Sequence, residues 1–229
     1  MSSIRKASPQ LVRTVVSRFG MALVVMMLAF FLPAGTLRYW EAWMYLAVLL
    51  VPLCFAAVYL VRYEPDLLER RMRLREKEAA QRRILGVSWV FFLAAFLLPG
   101  FDHRFGWSDV PTAVVLIADA FVLLGYLMVL VVFRENRYAS RIVEVEAEQQ
   151  VISTGPYALV RHPMYVGTLL MYLASPIALG SYVAFPFILP LVWVIVARIA
   201  NEEEVLNRDL AGYTEYACRV RHRLIPHVW

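Results

Sequence analysis

Two short clusters hold most of the side chains in this sequence that could do chemistry. The first, residues 154–167 (TGPYALVRHPMYVG), gathers two glycines, two prolines, two tyrosines and an Arg161-His162 pair. The second runs Arg198-Ile-Ala-Asn-Glu202-Glu203-Glu204 and sets an arginine just ahead of three carboxylates. In the first, Gly155-Pro156 signals a turn, because glycine tolerates positive φ and proline fixes its own. Pro163 suits the opening turn of a following helix, where its missing N–H is harmless. Backbone N–H groups at such a helix start favour an anionic or electron-rich ligand group. Tyr165 and Gly167 carry the cluster into the helix, the glycine leaving room for close approach of another group. The same make-up also serves as an interfacial anchor. In the second cluster, Arg198 and Glu202 are four apart and can pair as a plain salt-bridged helix end. Adjacent carboxylates at a helix C-terminus nevertheless oppose the macrodipole, which a solvated helix tends to avoid. Taken singly, each cluster stays open between the two readings.

The elements that must position them are membrane helices. The chain is 61% hydrophobic and 18% charged, against roughly 45–50% and about 25% in soluble domains. The apolar residues fall in blocks rather than stripes, which marks an all-α integral membrane protein. Hydropathy gives apolar segments at residues 19–35, 40–61, 84–100 and 112–133, and a longer run at 164–199. That run exceeds one crossing and is broken near Gly180, so it reads as a hairpin of two helices. The count is then about six transmembrane helices. A basic start before the first segment resembles a signal peptide, but with five further spans a retained helix is expected. We expect one membrane domain over residues 1–229, with N-terminal helices in 1–133 and the functional core in 134–229, ending in an amphipathic tail.

Charge placement supports this layout. Of 23 lysines and arginines, all but Arg38 and Arg104 fall on one side of a six-pass arrangement. By the positive-inside tendency that side is cytoplasmic, together with both termini. Residues 62–83 have mixed charges, with Leu67, Leu68, Met72 and Leu74 forming an apolar face that suits an amphipathic helix on an anionic leaflet. Residues 141–152 alternate Val143, Val145 and Ala147 with Glu144, Glu146 and Glu148, which suggests a short strand or hairpin. Asp119 falls inside the fourth segment, where a charge costs about 2.5–3.5 kcal/mol; a functional group and a helix-packing contact both fit it.

Several chemistries are excluded by what is missing. No GxGxxG follows an expected strand, no P-loop occurs, and no HxxxH or CxxC spacing offers a metal site. Cys54 and Cys218 read as free thiols, and no nucleic-acid partner is expected. Any cofactor must therefore be held by helices and their cytoplasmic ends. Both clusters bound the same helical hairpin and face the same side. They can converge on one pocket beside apolar walls, as ligand sites commonly do.

The series GPY-x-x-x-RHPMYVG, a hairpin, R-x-x-x-EE-x-x-L and the tail LAGYTEYACRVRHRLIP resembles the isoprenylcysteine carboxyl methyltransferase family, in its bacterial branch. The resemblance covers residues 134–229. It implies an S-adenosylmethionine-dependent methyltransferase, acting in a bacterial inner membrane on a lipophilic or small acceptor, most simply a carboxylate. It further implies that Tyr157, Arg161, His162, Pro163, Tyr165 and Gly167 line the cofactor's amino-acid and adenosine portions. Glu202 and Glu203 would take its ribose hydroxyls or ammonium, and Arg198 would lie near the acceptor's carboxylate. A carboxylate needs no general base, whereas an amine or thiol acceptor would need one, and His162 is the only histidine in the two clusters. Membrane sterol reductases and phospholipid methyltransferases carry similar RHP-x-Y-x-G helix starts. An NADPH-dependent sterol-type reductase and an amine or thiol methyltransferase are thus the alternatives, and a non-catalytic scaffold is a third. Oligomeric state is left open.

Overall fold

The computed structural model describes residues 8–71, 79–136, 138 and 149–229. Among the described residues the regular structure is entirely helical. Six longer helices are α1 (Pro9–Ala34), α2 (Trp40–Tyr63), α4 (Ala79–Phe105), α5 (Thr112–Glu135), α6 (Pro163–Ala178) and α7 (Phe185–Asp209). Two short ones, α3 (Pro65–Arg71) and α8 (Tyr213–Arg219), flank them. Local chemistry explains the boundaries. Ser8 caps α1 by accepting the Leu11 N–H at 3.1 Å with Pro9 next in line, and Gly35 ends it at φ 65°. The break expected near Gly180 is present, with φ +72° between α6 and α7.

Four helices, α1, α2, α5 and α7, are long and apolar enough to cross a membrane. Their outward faces carry large apolar side chains in the open, such as Leu32 (73% exposed), Phe55 (72%) and Trp193 (76%). A belt of that kind marks a surface that faces lipid rather than water. The helix α4 has 27 residues and no charged residue from Ile84 to Phe101. By contrast α6 has 16, which at ~1.5 Å per residue is about 24 Å and short of a ~30 Å hydrocarbon core. Four of the six expected crossings thus meet the length and composition of a span, and crossings by α4 and α6 stay proposals.

Small residues set the closest helix contacts, as is usual where lipid removes the hydrophobic drive for association. A Cβ at Gly125 of α5 would stand 2.5 Å from the Gly167 carbonyl oxygen, and one at Gly167 of α6 would stand 2.6 Å from that of Gly125. The two backbones therefore touch. Hydroxyls add directional ties: Tyr45 and Ser175 meet at 2.7 Å, and Tyr39 donates to the Leu179 carbonyl at 2.5 Å. At the end of the bundle that holds the α6–α7 turn, Asp102 accepts the Ser108 N–H and hydroxyl, both at 2.7 Å, and the Ser181 hydroxyl. Asp119 is buried on α5, and among the described residues neither of its oxygens has a hydrogen-bond partner.

One loop expectation changes, and another falls mostly outside the described residues. Leu67 and Leu68 are buried in a cluster with Val15 and Leu60, so α3 packs into α1 and α2 instead of lying on lipid headgroups; Met72 and Leu74 fall outside the described residues. Of the alternating stretch, residues 141–148 also fall outside them, and 149–152 form no regular element.

The glycine contact yields a direct expectation. Gly167→Val should lower the detergent-solubilised protein's thermal midpoint, at a cost of about 1–3 kcal/mol for overpacking. Gly20→Ala, with nothing within 4 Å of its added Cβ, should leave the midpoint unchanged or raise it. Equal midpoints in a thermal-shift series would contradict the assigned contact.

Candidate functional site

The two clusters meet. Residues 155–158 form one 3-10 turn (Gly155–Ala158), opened by Gly155 at φ +55°. A side chain on Gly155 would run into Glu135, whose Cδ would lie 2.9 Å from the added Cβ. His162 is the N-cap of α6 and Pro163 its first residue. The chain 161–162 also pairs with the tail: the Arg161 N–H donates to the His222 carbonyl and the His162 N–H to that of Arg223, each at 2.9 Å.

Glu203 is the hub. Its Oε1 accepts from Arg161 Nε at 2.7 Å and lies 3.1 Å from His162 Nε2, while its Oε2 accepts from Arg223 Nε at 2.8 Å. The carboxylate is buried, with its side chain 9% exposed. Arg161 also donates through Nη1 to the carbonyls of Val220 (2.8 Å) and Arg221 (2.9 Å). Three segments far apart in sequence are thereby fastened to one anion. Beside the hub runs a second chain of bonds, in which Arg198 Nε donates to Tyr165 Oη at 2.8 Å and that hydroxyl donates to Glu202 Oε2 at 2.7 Å. Arg198 and Glu202, four apart on α7, are thus joined through a phenol from α6.

These groups border a hollow whose walls include Tyr157, Arg161, His162, Met164, Tyr165 and Glu202. Of the residues singled out from sequence, Tyr157, Arg161, His162, Tyr165 and Glu202 share this hollow. Glu203 stands behind it and orients three of its neighbours. Arg198 reaches it through Tyr165, and Pro163 and Gly167 are buried in the fold, the latter against Gly125.

Sequence reasoning passed over several lining residues. Asn136, at the end of α5, donates to Tyr157 Oη at 2.9 Å. Gln149, Gln150, Val151 and Ile152 supply one wall, and Leu206, Leu210, Tyr213 and Tyr216 another. Tyr216 donates to the Tyr157 carbonyl at 2.8 Å. Burial raises the phenol of Tyr213, with Glu203 adding to the shift, and burial followed by Tyr157 raises that of Tyr216. Both stay neutral across the physiological range. The signal for them was the GY-x-x-Y spacing, which puts two aromatic rings on one face of a short helix. Arg223 belongs with them: its guanidinium lies 5.0 Å from the Trp229 ring centre, while the Trp229 carbonyl accepts the N–H groups of Arg223, Leu224 and Ile225.

Comparison with known proteins matches the same part of the chain. A family model described as phospholipid methyltransferase matches residues 113–211, from α5 to the end of α7. A Delta(14)-sterol reductase, TM7SF2 of Mus musculus, is 33% identical over 84 residues, covering 35% of this chain and 20% of that protein. The chain thus matches only a fifth of that relative's length.

The hub predicts a sharp contrast between neighbours. Glu203→Ala leaves Arg161, His162 and Arg223 without their shared anion and should cost about 3–5 kcal/mol, the usual penalty for breaking a buried ion pair from one side. Glu204→Ala, one residue on and exposed, should change stability by less than about 0.5 kcal/mol. Denaturant or thermal unfolding of both variants in one detergent checks this, and similar losses would contradict the hub.

Proposed function

We propose that the protein is an integral membrane methyltransferase that uses S-adenosylmethionine and methylates a lipophilic acceptor, with a carboxylate as the favoured group. The observation that carries this reading is the charge balance of the hollow. Among its described lining residues the one arginine, Arg161, donates to Glu203, while Glu202 and the rings of Tyr157, Tyr165, Tyr213 and Tyr216 line the walls. Carboxylate and aromatic faces suit a cationic ligand. A dinucleotide's phosphates would need uncommitted basic groups. The similarity to the phospholipid methyltransferase family over residues 113–211 supports the same chemistry.

The donor set fits the cofactor, which supplies a methyl already activated on a sulfonium. What this chain contributes is alignment and exclusion of water. Glu202 and the Tyr165 hydroxyl it binds would hold the ammonium or ribose hydroxyls, with Tyr157, Arg161 and His162 completing the wall and Pro163 and Gly167 setting the start of α6. Glu203 acts as a positioning residue through Arg161 and His162. Arg198, bound to Tyr165, would orient the carboxylate of a membrane-borne acid. His162 Nε2 lies 3.1 Å from Glu203, a pairing that orients the ring and, with the proton on Nε2, leaves Nδ1 able to take a proton. An acceptor already ionised at neutral pH needs no base, and the basic Arg198 bound to Tyr165 favours a carboxylate over an amine or thiol. By the placement of its basic residues, the α6 start and α7 end face the cytoplasm.

The stretch similar to a sterol reductase favours a second reading, NADPH-dependent reduction, which the same experiment separates. Calorimetry on purified protein should show binding of S-adenosylhomocysteine and none of NADPH. Membranes supplied with radiolabelled S-adenosylmethionine should yield a methylated lipid extractable into organic solvent, and the extract of Arg198→Ala membranes should hold at least tenfold less. NADPH binding without S-adenosylhomocysteine binding would reverse the assignment.

A further inference from the structure

The C-terminal loop, residues 223–229, has two unlike sides. On its inner side Leu224 is buried in a cluster with Tyr165 of α6 and Ile195 and Ile199 of α7, against which Trp229 packs. Ile195 lies seven residues before Glu202, about 10 Å towards the apolar centre of α7. The loop is thus laid along the two helices at the level where their polar ends give way to apolar residues. On its outer side Ile225 is 54% exposed and Val228 75%, with Pro226 between them also in the open.

The backbone of this loop is closed on itself. The Trp229 carbonyl accepts the N–H groups of Arg223, Leu224 and Ile225, and the Ile225 carbonyl accepts those of Val228 and Trp229 at 3.1 Å each. The His227 N–H meets the His222 ring at 3.2 Å, and Pro226 has no N–H to satisfy. Every backbone donor from 223 to 229 therefore has an acceptor within residues 222–229. To reach this closure His227 takes a φ of 64°, in the left-handed region that a residue other than glycine enters at a cost. Water would satisfy the same groups without such a turn. An apolar medium would not, and there each open backbone donor is expensive.

Charge frames the tip. Residues 216–229 contain Arg219, Arg221 and Arg223 and neither aspartate nor glutamate. Arg219 and Arg221 are exposed, while Arg223 holds Glu203 and lies against the Trp229 ring. Exposed arginines beside an apolar tip and a tryptophan match anionic headgroups lying over hydrocarbon.

We infer that residues 225–228 are a docking surface for the anionic leaflet that borders the start of α6, with Ile225 and Val228 seated at its acyl boundary. The seat fixes the depth of the neighbouring ion cluster. Arg223 is two residues from Ile225, at most about 7 Å along the chain, so its contact with Glu203 is held at headgroup level. The hollow beside that cluster is thereby placed at the border of water and lipid.

Spin labels test the seat without depending on turnover. Protein with Cys54→Ser, Cys218→Ser and Val228→Cys is labelled with a nitroxide and reconstituted in vesicles of phosphatidylcholine and phosphatidylglycerol. Trp193→Cys, on the open face of α7, gives the lipid reference, and Glu215→Cys, exposed on α8, the aqueous one. Collisions with oxygen, which concentrates in hydrocarbon, are compared with those of a water-soluble nickel chelate. Their ratio at 228 should exceed that at 215 by about fivefold or more, approaching the value at 193. Equal ratios at 228 and 215 would put the tip in water and overturn the inference. Few collisions with either reagent would mean that a second copy of the chain covers the tip, which would overturn it as well. Adding Ile225→Ser should move the ratio at 228 towards the aqueous value. An unchanged ratio there would assign the depth to the label itself and overturn the seat.

Discussion

One buried carboxylate organises the end of this molecule that holds the candidate site. Glu203 accepts from Arg161 and Arg223 and contacts His162, and those partners sit on the approach to α6 and on the C-terminal tail. A lone anion there would be costly to bury, as would either arginine. Together they satisfy one another, and the penalty for separating them is what makes the arrangement specific. The tail is held against residues 161–162 by this cluster and by backbone pairing, so the wall made by α8 inherits its position from the same ion cluster. The hollow is in this sense a by-product of charge neutralisation.

The ends of the bundle are built on different principles. Where α6 and α7 turn, hydroxyls and Asp102 bind one another, beside a buried Glu41 oxygen that has no hydrogen-bond partner among the described residues. At the opposite end the polar groups are arranged around a space, and some of them, Tyr213 above all, are not satisfied within the fold. Between the two ends lies the apolar body, held by close contacts at Gly100, Gly125 and Gly167. This division fits a molecule whose one end is structural and whose other end meets a ligand.

Much of this was legible in the sequence. The Pro163 helix start, the Gly180 break and the convergence of the 154–167 and 198–204 clusters follow from turn chemistry and hydropathy alone. Other features resist such reading for physical reasons. The i, i+4 spacing made Arg198 and Glu202 natural partners, yet spacing within one helix cannot reveal that Tyr165 from another helix binds both. Glu202 and Glu203 look equivalent in sequence, but adjacent helical positions are about 100° apart, so one faces the hollow and the other the ion cluster behind it. Leu67 and Leu68 read as a lipid-facing stripe because an apolar face does not declare what it packs against. Arg223 carries an ordinary side chain at an ordinary spacing, and only the path of the tail brings it to Glu203. The length of α6 could not be read either, since the apolar run continues through the turn.

The contact between Gly125 and Gly167 has a consequence beyond helix association. From Gly125 the helix α5 runs on to Glu135 and Asn136, whose side chains grip Thr154 and Tyr157. From Gly167 the helix α6 runs back to His162 at the edge of the hollow, five residues or about 7.5 Å away. The two helices therefore behave as the legs of a caliper whose pivot is a pair of missing side chains. The distance between its tips is therefore fixed in part inside the apolar body, at a backbone contact that involves no polar side chain.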